Sequence, residues 1–332
     1  MVKAAKYFTV IVDRYTFPMR PLTHAARLFA ALLLLPLLAV QPAFGWGSDG
    51  HMLINRLAGA ALPADVPAFL RTPAALDALE YYGPEPDRWR STAEPELNAA
   101  QAPEHFIDLE WADLAGPLPR RRYDFIRALA AAQPAHPDIP MTPEKVGLQP
   151  YVTSEVYERL QSDFRDYRAL VAAKQDSKPS EAEIVFLAGW LGHYVGDGSQ
   201  PMHTTIQYNG WTGPNPHGYT TEHRIHTQFE TTFVHANVKS ADVAPLVAAA
   251  KPAVLKDVFS DYLAYLRHSN TLVEQTYLLE KQGAFTGAGT PAGKAFVDRQ
   301  LAAGAIELRD MIYTAWVKSA EPVPAYSGNK PP

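Results

Sequence analysis

A chain of 332 residues, 47% hydrophobic and 20% charged, has the material for a sizeable buried core in one large domain or two, which excludes a disordered or collagen-like polymer. It has no cysteine, which excludes both disulfides and thiolate metal sites. Its net charge of -5, without a basic stripe, argues against holding a polyanion on a broad positive face.

The first segment has a different character from the rest. Lys3, Lys6, Arg14, Arg20 and Arg27 precede an apolar run from Leu28 to Val40, and Ala43 and Gly45 then place small residues where a signal peptidase reads. The spacing predicts a signal peptide over residues 1–45 cleaved before Trp46, and hence a secreted or periplasmic protein. The run is shorter than the ~20 residues a membrane span needs. Either Met1 or Met19 serves as the start in this reading. Residues 1–45 hold five Lys/Arg and one Asp, so the chain from Trp46 onward stands at -9. A phosphate-bearing substrate would therefore draw much of its attraction from bound cations.

Trp46-Gly47-Ser48-Asp49-Gly50-His51 opens the mature chain, and Met52 to Leu62 carries a helical pattern stopped by Pro63. A new terminus at Trp46 offers an amine and a carbonyl oxygen, with His51 close in sequence. As alternatives, Trp46 is a core residue and His51 a solvated helix-start residue. From Pro63 to Pro103 the chain is loop-rich with short helices. Within it Asp87 and Arg90 lie three apart, and His105-Phe106-Ile107-Asp108 places a histidine and a carboxylate three apart just beyond it. Each pair alone also reads as a surface ion pair or a satisfied histidine.

Residues 112–150 read as irregular, and Arg120-Arg121-Arg122 as a solvated cluster. Tyr151 to Lys174 is expected to be a long amphipathic helix, with Ser180 capping the next. That next helix runs into Leu187 to His203, LAGWLGHYVGDGSQPMH. There His193 and Asp197 sit four apart on one face, and Gly196, Gly198 and Pro201 are expected to stop the helix so that His203 can turn back toward them. Such a pair by itself is more often a plain structural hydrogen bond. A Gly/Pro/Asn loop over 204–221 precedes His223, His226 and Glu230, the last two again four apart. Three more helices are expected at Val243–Leu266, Thr271–Gln282 and Pro291–Val317, then a polar Pro-rich tail over 321–332. Strand-like alternation is nearly absent. The fold is therefore read as all-α, a single mainly helical domain over 46–320.

Trp46, His51, Asp87, His105, His193, Asp197, His203, His226 and Glu230 together supply nitrogen and carboxylate oxygen without thiolate, the donor set of catalytic zinc. Nine such ligands suffice for three ions. In this order and spacing the chain resembles the trinuclear-zinc phosphoesterases, which include single-strand-specific nucleases and bacterial zinc-dependent phospholipases C; the likeness runs from Trp46 to about Thr232.

The resemblance implies one zinc on Asp87, His105, His193 and Asp197, a second on Trp46, His51 and the bridging Asp197, and a third on His203, His226 and Glu230, with His223 an alternative to His226. It also implies metal-activated hydroxide attack on phosphorus, with Asp87 orienting the nucleophile and Arg90 binding phosphoryl oxygens. Asp108, Phe106 and Asn209 would then contact substrate, and Tyr208 or Trp211 could add stacking faces.

The spacing of Trp46 to His51, Arg90 after Asp87 and Asp108 after His105 resemble the nucleases, which points to single-stranded nucleic acid and 3′-nucleotides as substrate. Glu230 in place of Asp, and the altered loop after His203, resemble the phospholipases, which act on phospholipid head groups. A non-catalytic, metal-stabilised binding protein is the remaining alternative. No protein partner is implied.

Overall fold

The structure is a computed structural model, described over residues 46–323. The expected signal segment 1–45, the choice between Met1 and Met19, and residues 324–332 of the expected tail lie outside the described residues. The described residues fall in one compact unit of helices and turns, and they contain no strand beyond two isolated bridges, Ile107 with Gly147 and Tyr208 with Gly210. The fold is all-α, as its sequence pattern indicates. No helix among the described residues is long and apolar enough to cross a membrane.

The principal helices are α1 (Gly47–Ala60), α2 (Pro73–Tyr82), α3 (Arg122–Ala132), α4 (Gln149–Ala172), α5 (Lys178–Ser199), α6 (Ser240–Ala249), α7 (Val258–Asn270), α8 (Val273–Lys281) and α9 (Pro291–Lys318). Short-range chemistry sets several starts. Thr72 and Thr290 accept the N–H of Ala75 and Gly293 while Pro73 and Pro291 occupy the first helical position, and Asp257 accepts the N–H of Ser260.

Helix α5 is the hub, packed against α1, α2, α4, α7 and α9. Ile184, Leu187, Ala188, Leu191, Tyr194 and Val195 form one buried apolar face, and Val185, Gly189, Gly192, His193 and Asp197 are buried on the other sides, the mark of a helix inside a core. Its glycines permit the approach. A Cβ on Gly192 would press into Asn55 Oδ1 of α1 and lie 2.6 Å from Leu308 Cδ2 of α9. Asn55, fully buried, donates to Leu79 O at 3.0 Å and Gly189 O at 2.9 Å, tying α1 to α2 and α5.

Several elements differ from their sequence reading. The first helix starts at Gly47 rather than Met52, so His51 stands inside it with its ring wholly buried. Residues 112–150 include a regular helix, α3, whose Phe125 and Leu129 face the core four apart. Arg122, which opens it, is not a solvated charge: it donates to Glu104 at 2.8 Å and to both oxygens of Glu155.

Helix α5 begins at Lys178, so Ser180 is inside the helix and donates to Asp163 O instead of capping. Its glycines do not stop it, because it continues through Gly196 and Gly198 to Ser199. The segment 243–266 divides into α6 and α7. Pro252 has no N–H and disfavours helical backbone in Lys251, and Arg309 of α9 takes the freed carbonyls of Ala250 and Lys251 at 2.8 and 3.1 Å.

Candidate metal centre

Four backbone segments converge at the last two turns of α5. Helix α1 brings His51; the short helix Glu85–Arg88 brings Asp87; the turn Ala102–His105 brings His105; α5 itself carries His193 and Asp197. Just beyond, the turn Pro201–His203 carries His203, and the segment after the 204–221 loop carries His226 and Glu230. The turns bearing His105 and His203 are laced together, since Ile107 N donates to His203 O at 2.9 Å and Leu109 N to Thr204 O at 3.2 Å. His226 and Glu230 do not lie on one regular α-helix: a π turn over Gln228–Thr232 follows the short helix Ile225–Thr227. They still meet, with Glu230 Oε2 2.8 Å from His226 Nε2.

The side chains form three groups whose donor atoms lie within reach of a common ion, the first two sharing His193: His51, Asp87 and His193; His105, His193 and Asp197; and His203, His226 and Glu230. Asp197, fully buried, turns Oδ1 toward His51 Nε2 and Oδ2 toward His193 Nε2, both at 3.4 Å, the disposition of a carboxylate shared between two ions. Asp87 Oδ1 lies 3.5 Å from His105 Nε2 and 3.9 Å from His193 Nε2. In the third group the Nε2 atoms of His203 and His226 are 3.1 Å apart, with Glu230 Oε2 3.7 Å from the former.

The ring nitrogens facing away from these groups explain their orientation. His105 Nδ1 meets Gln101 O at 2.8 Å, His193 Nδ1 meets Gly83 O at 2.9 Å, His203 Nδ1 meets His105 O at 2.6 Å and His226 Nδ1 meets Tyr208 O at 2.8 Å. A carbonyl only accepts, so each Nδ1 carries the hydrogen and each Nε2 points inward, as in metal-ligating histidines. The chemistry of the donors fits a cation. His51 Nδ1 and Nε2, both oxygens of Asp87 and of Asp197, Nε2 of His105 and His193, and Glu230 Oε1 are buried without a hydrogen-bond partner. Buried polar atoms are seldom left so, and a concentration of acceptors in one place marks a site that takes a cation.

The electrostatics of the protein atoms agree. Burial would raise Asp197, but His203, His193 and His51 outweigh it and hold the carboxyl far below its ordinary range. Asp87 is likewise held low against burial by His193, His105 and His51. Burial, together with His51, pulls His193 down to about 3, so it stays a neutral donor. His203 goes the other way: burial lowers it, yet Asp197, Glu230 and the His105 carbonyl lift it to about 9, so its Nε2 holds a proton that a cation would have to displace.

A cavity of about 590 Å³ opens beside the centre, lined by His105, His203 and His226 and by Arg90, Phe106, Asp108 and Tyr208 from the predicted set. Asp108 is pushed up to about 8, by burial first and then by Glu110, so at neutral pH it is a hydrogen-bond donor. Two expected loop contributors do not face this cavity. Asn209 spends its side-chain oxygen on His226 N at 3.3 Å. Trp211 packs against Tyr219 and Tyr277 and donates its indole N–H to Pro214 O at 2.9 Å.

His223 is exposed and outside the third group, which leaves His226 as its histidine. Trp46 is fully buried, its indole N–H donated to Ser199 Oγ at 2.7 Å and its ring against Phe229, so its side chain supplies no donor to the groups. Sequence reasoning missed Trp111, Met202, Ile206, Glu144 and Lys145 in the cavity wall. Met202 sits inside the HxxxD…H stretch, where its position next to His203 was the available signal; the others had none.

No model of a known protein family matches the chain, and no curated protein matches it. Solved structures with some likeness include alpha-toxin of Clostridium perfringens from avian strain SWCP, at 14% identity and a TM-score of 0.37, over 82% of this chain and 65% of that one. The alpha toxin of Clostridium absonum is similar at 15% identity and a TM-score of 0.37, over 84% of this chain and 67% of that one. The chain thus spans a little under two thirds of the length of the first of these toxins. Likeness of this degree leaves the reaction to be argued from the site itself.

Proposed function

We propose that the chain is a zinc-dependent hydrolase of phosphodiesters. The carrying observation is the concentration of partnerless, buried nitrogen and carboxylate donors in three groups beside an open cavity. Asp87, His105, His193 and Asp197 would hold one ion, His51 with the second oxygen of Asp197 and the backbone of Trp46 another, and His203, His226 and Glu230 a third. Zinc bound there would supply Lewis acidity toward phosphoryl oxygen and a water of lowered pKa. The chain's own residues do the rest. Asp87, with both oxygens buried, accepts a hydrogen bond from the attacking water and orients it. Arg90, in the cavity wall, binds phosphoryl oxygens as a planar fork. Phe106, Trp111, Met202 and Ile206 would give the bound substrate an apolar wall.

On substrate, the phospholipid head-group reading stands ahead of nucleic acid. Glu230 is the acid of the third group, and Asn209 and Trp211, which a base pocket would need, are occupied elsewhere. Phe106, Trp111 and Tyr208 with Glu144 suit a cationic head group, whose charge is attracted to ring faces and carboxylates. The nuclease reading keeps one supporting observation: Phe106 and Tyr208 face the cavity and could stack bases, with neutral Asp108 beside them. Export with cleavage before Trp46 belongs to the same proposal, and the intact mass of the exported protein checks it.

The deciding experiment measures chelator-sensitive rates on phosphatidylcholine, single-stranded DNA and 3′-AMP with zinc-loaded protein. Release of diacylglycerol supports the head-group reading, and release of nucleotides or adenosine reverses the order. Zinc binding without turnover on any of them would leave a metal-stabilised binding protein.

A further inference from the structure

Gln200 belongs to none of the three donor groups, yet it is fully buried against one of them. It ends α5 and opens the turn that carries His203, in extended backbone at φ -87 and ψ 110. Its Oε1 accepts the N–H of Met202 at 2.7 Å. That bond settles the amide's orientation, because a backbone N–H can only be answered by the oxygen end. The NH₂ end therefore faces the third group, where Nε2 donates to Glu230 Oε2 at 2.9 Å and lies 3.5 Å from His226 Nε2.

Glu230 Oε2 is the oxygen that faces both histidine Nε2 atoms, while Oε1 is buried with no partner. The terminal torsion of a glutamate is broad, so nothing intrinsic decides which oxygen faces the histidines or at what angle. Gln200 decides it. Its side chain makes no hydrogen bond to the donors around Asp197, so its direct contacts are confined to one group.

We propose that Gln200 is a positioning residue: its amide N–H sets the rotation of the Glu230 carboxylate and so tunes the affinity of the His203–His226–Glu230 site for its ion. This rests on the reading of the three groups as zinc sites. Outer-shell partners of this kind typically govern metal affinity by 10–100-fold.

The test is stepwise zinc affinity by chelator competition, with zinc counted per chain, in wild type, Gln200→Glu and Gln200→Met. Gln200→Glu keeps an oxygen for Met202 N and, read at a pH where its carboxyl is ionised, removes the donor to Glu230; Gln200→Met removes both. The expected result is a third ion weakened about 10–100-fold in both variants, with the first two within about twofold of wild type. Loss in Gln200→Met alone would mean that the turn cap, not the donor, matters, and would overturn the proposal. So would an unchanged third ion in Gln200→Glu, which decides the matter even if Gln200→Met does not fold. A wild-type protein lacking a third ion would overturn both this proposal and the reading of the site. Three ions in wild type with an unaffected Gln200→Glu would overturn only the role of Gln200.

Discussion

At the scale of single residues, Asp197 is the most informative side chain. Among the described residues it is the carboxylate whose two oxygens address histidines from different helices, His51 on α1 and His193 on α5. Asp197→Asn keeps the size and replaces one oxygen with a donor amide that cannot serve an ion. The expected outcome is a loss of up to two zinc ions per chain and a fall in chelator-sensitive turnover of at least about 100-fold, since metal attraction and nucleophile activation fail together. Elemental analysis beside initial rates checks it, and wild-type zinc content in the variant would refute the shared role.

That His51, Asp87, His105, His193, Asp197, His203, His226 and Glu230 come together was legible in the sequence, because donor residues recur there at helical and turn spacings. Asn209 and Trp211 were misread because residues in an irregular loop can face either side. Which side depends on partners such as His226 N and Pro214 O, which no local pattern announces. Gln200 was overlooked although it lies within the ligand stretch, since an amide carries no ligand signature.

At the scale of elements, the site's precision comes from how closely α1 and α9 approach α5. Gly192 sits at that crossing. Alanine is the better helix former by about 1 kcal/mol, so propensity alone favours Gly192→Ala. The structure expects the reverse: the added methyl must displace Asn55 and Leu308, and overpacking of this kind costs about 1–3 kcal/mol or more. Denaturant unfolding should therefore show a lower midpoint at unchanged slope, and a stabilised variant would contradict the packing argument.

Helices α4, α5, α8 and α9 were evident from apolar periodicity. The division of 243–266 was not, although Pro252 was in view, because Val243, Val247, Phe259 and Leu266 keep an apolar rhythm on both sides of the break. The missed α3 has only Phe125 and Leu129 fully buried, too little periodicity to stand out among arginines and prolines.

At the scale of the whole molecule, stability should depend on pH through a group remote from the cavity. Burial above all, then Asp310 and Asp261, pushes Glu307 on α9 up to about 8 from an ordinary 4.5. The folded state thus holds a proton that the unfolded state releases. The associated stability is full below about pH 4.5 and is lost as pH rises through about 8. Glu307→Gln cannot titrate, so it should gain on the wild type by on the order of 3 kcal/mol between pH 5 and 8. Urea unfolding at the two pH values reads this directly. An equal difference at both would contradict the shift.

The centre also bears on global stability. Its buried carboxylates and histidines are costly to keep together without a cation, so zinc removal should lower the melting temperature in a manner reversed by added zinc.

On the proposed reading, three groups of buried donors hold three ions. Zinc per chain, measured on protein stripped with chelator and then retitrated, tests it most directly. The account predicts saturation at three ions, falling in Asp197→Asn while the His203–His226–Glu230 ion remains. Saturation at none, or identical binding by Asp197→Asn and wild type, would contradict it.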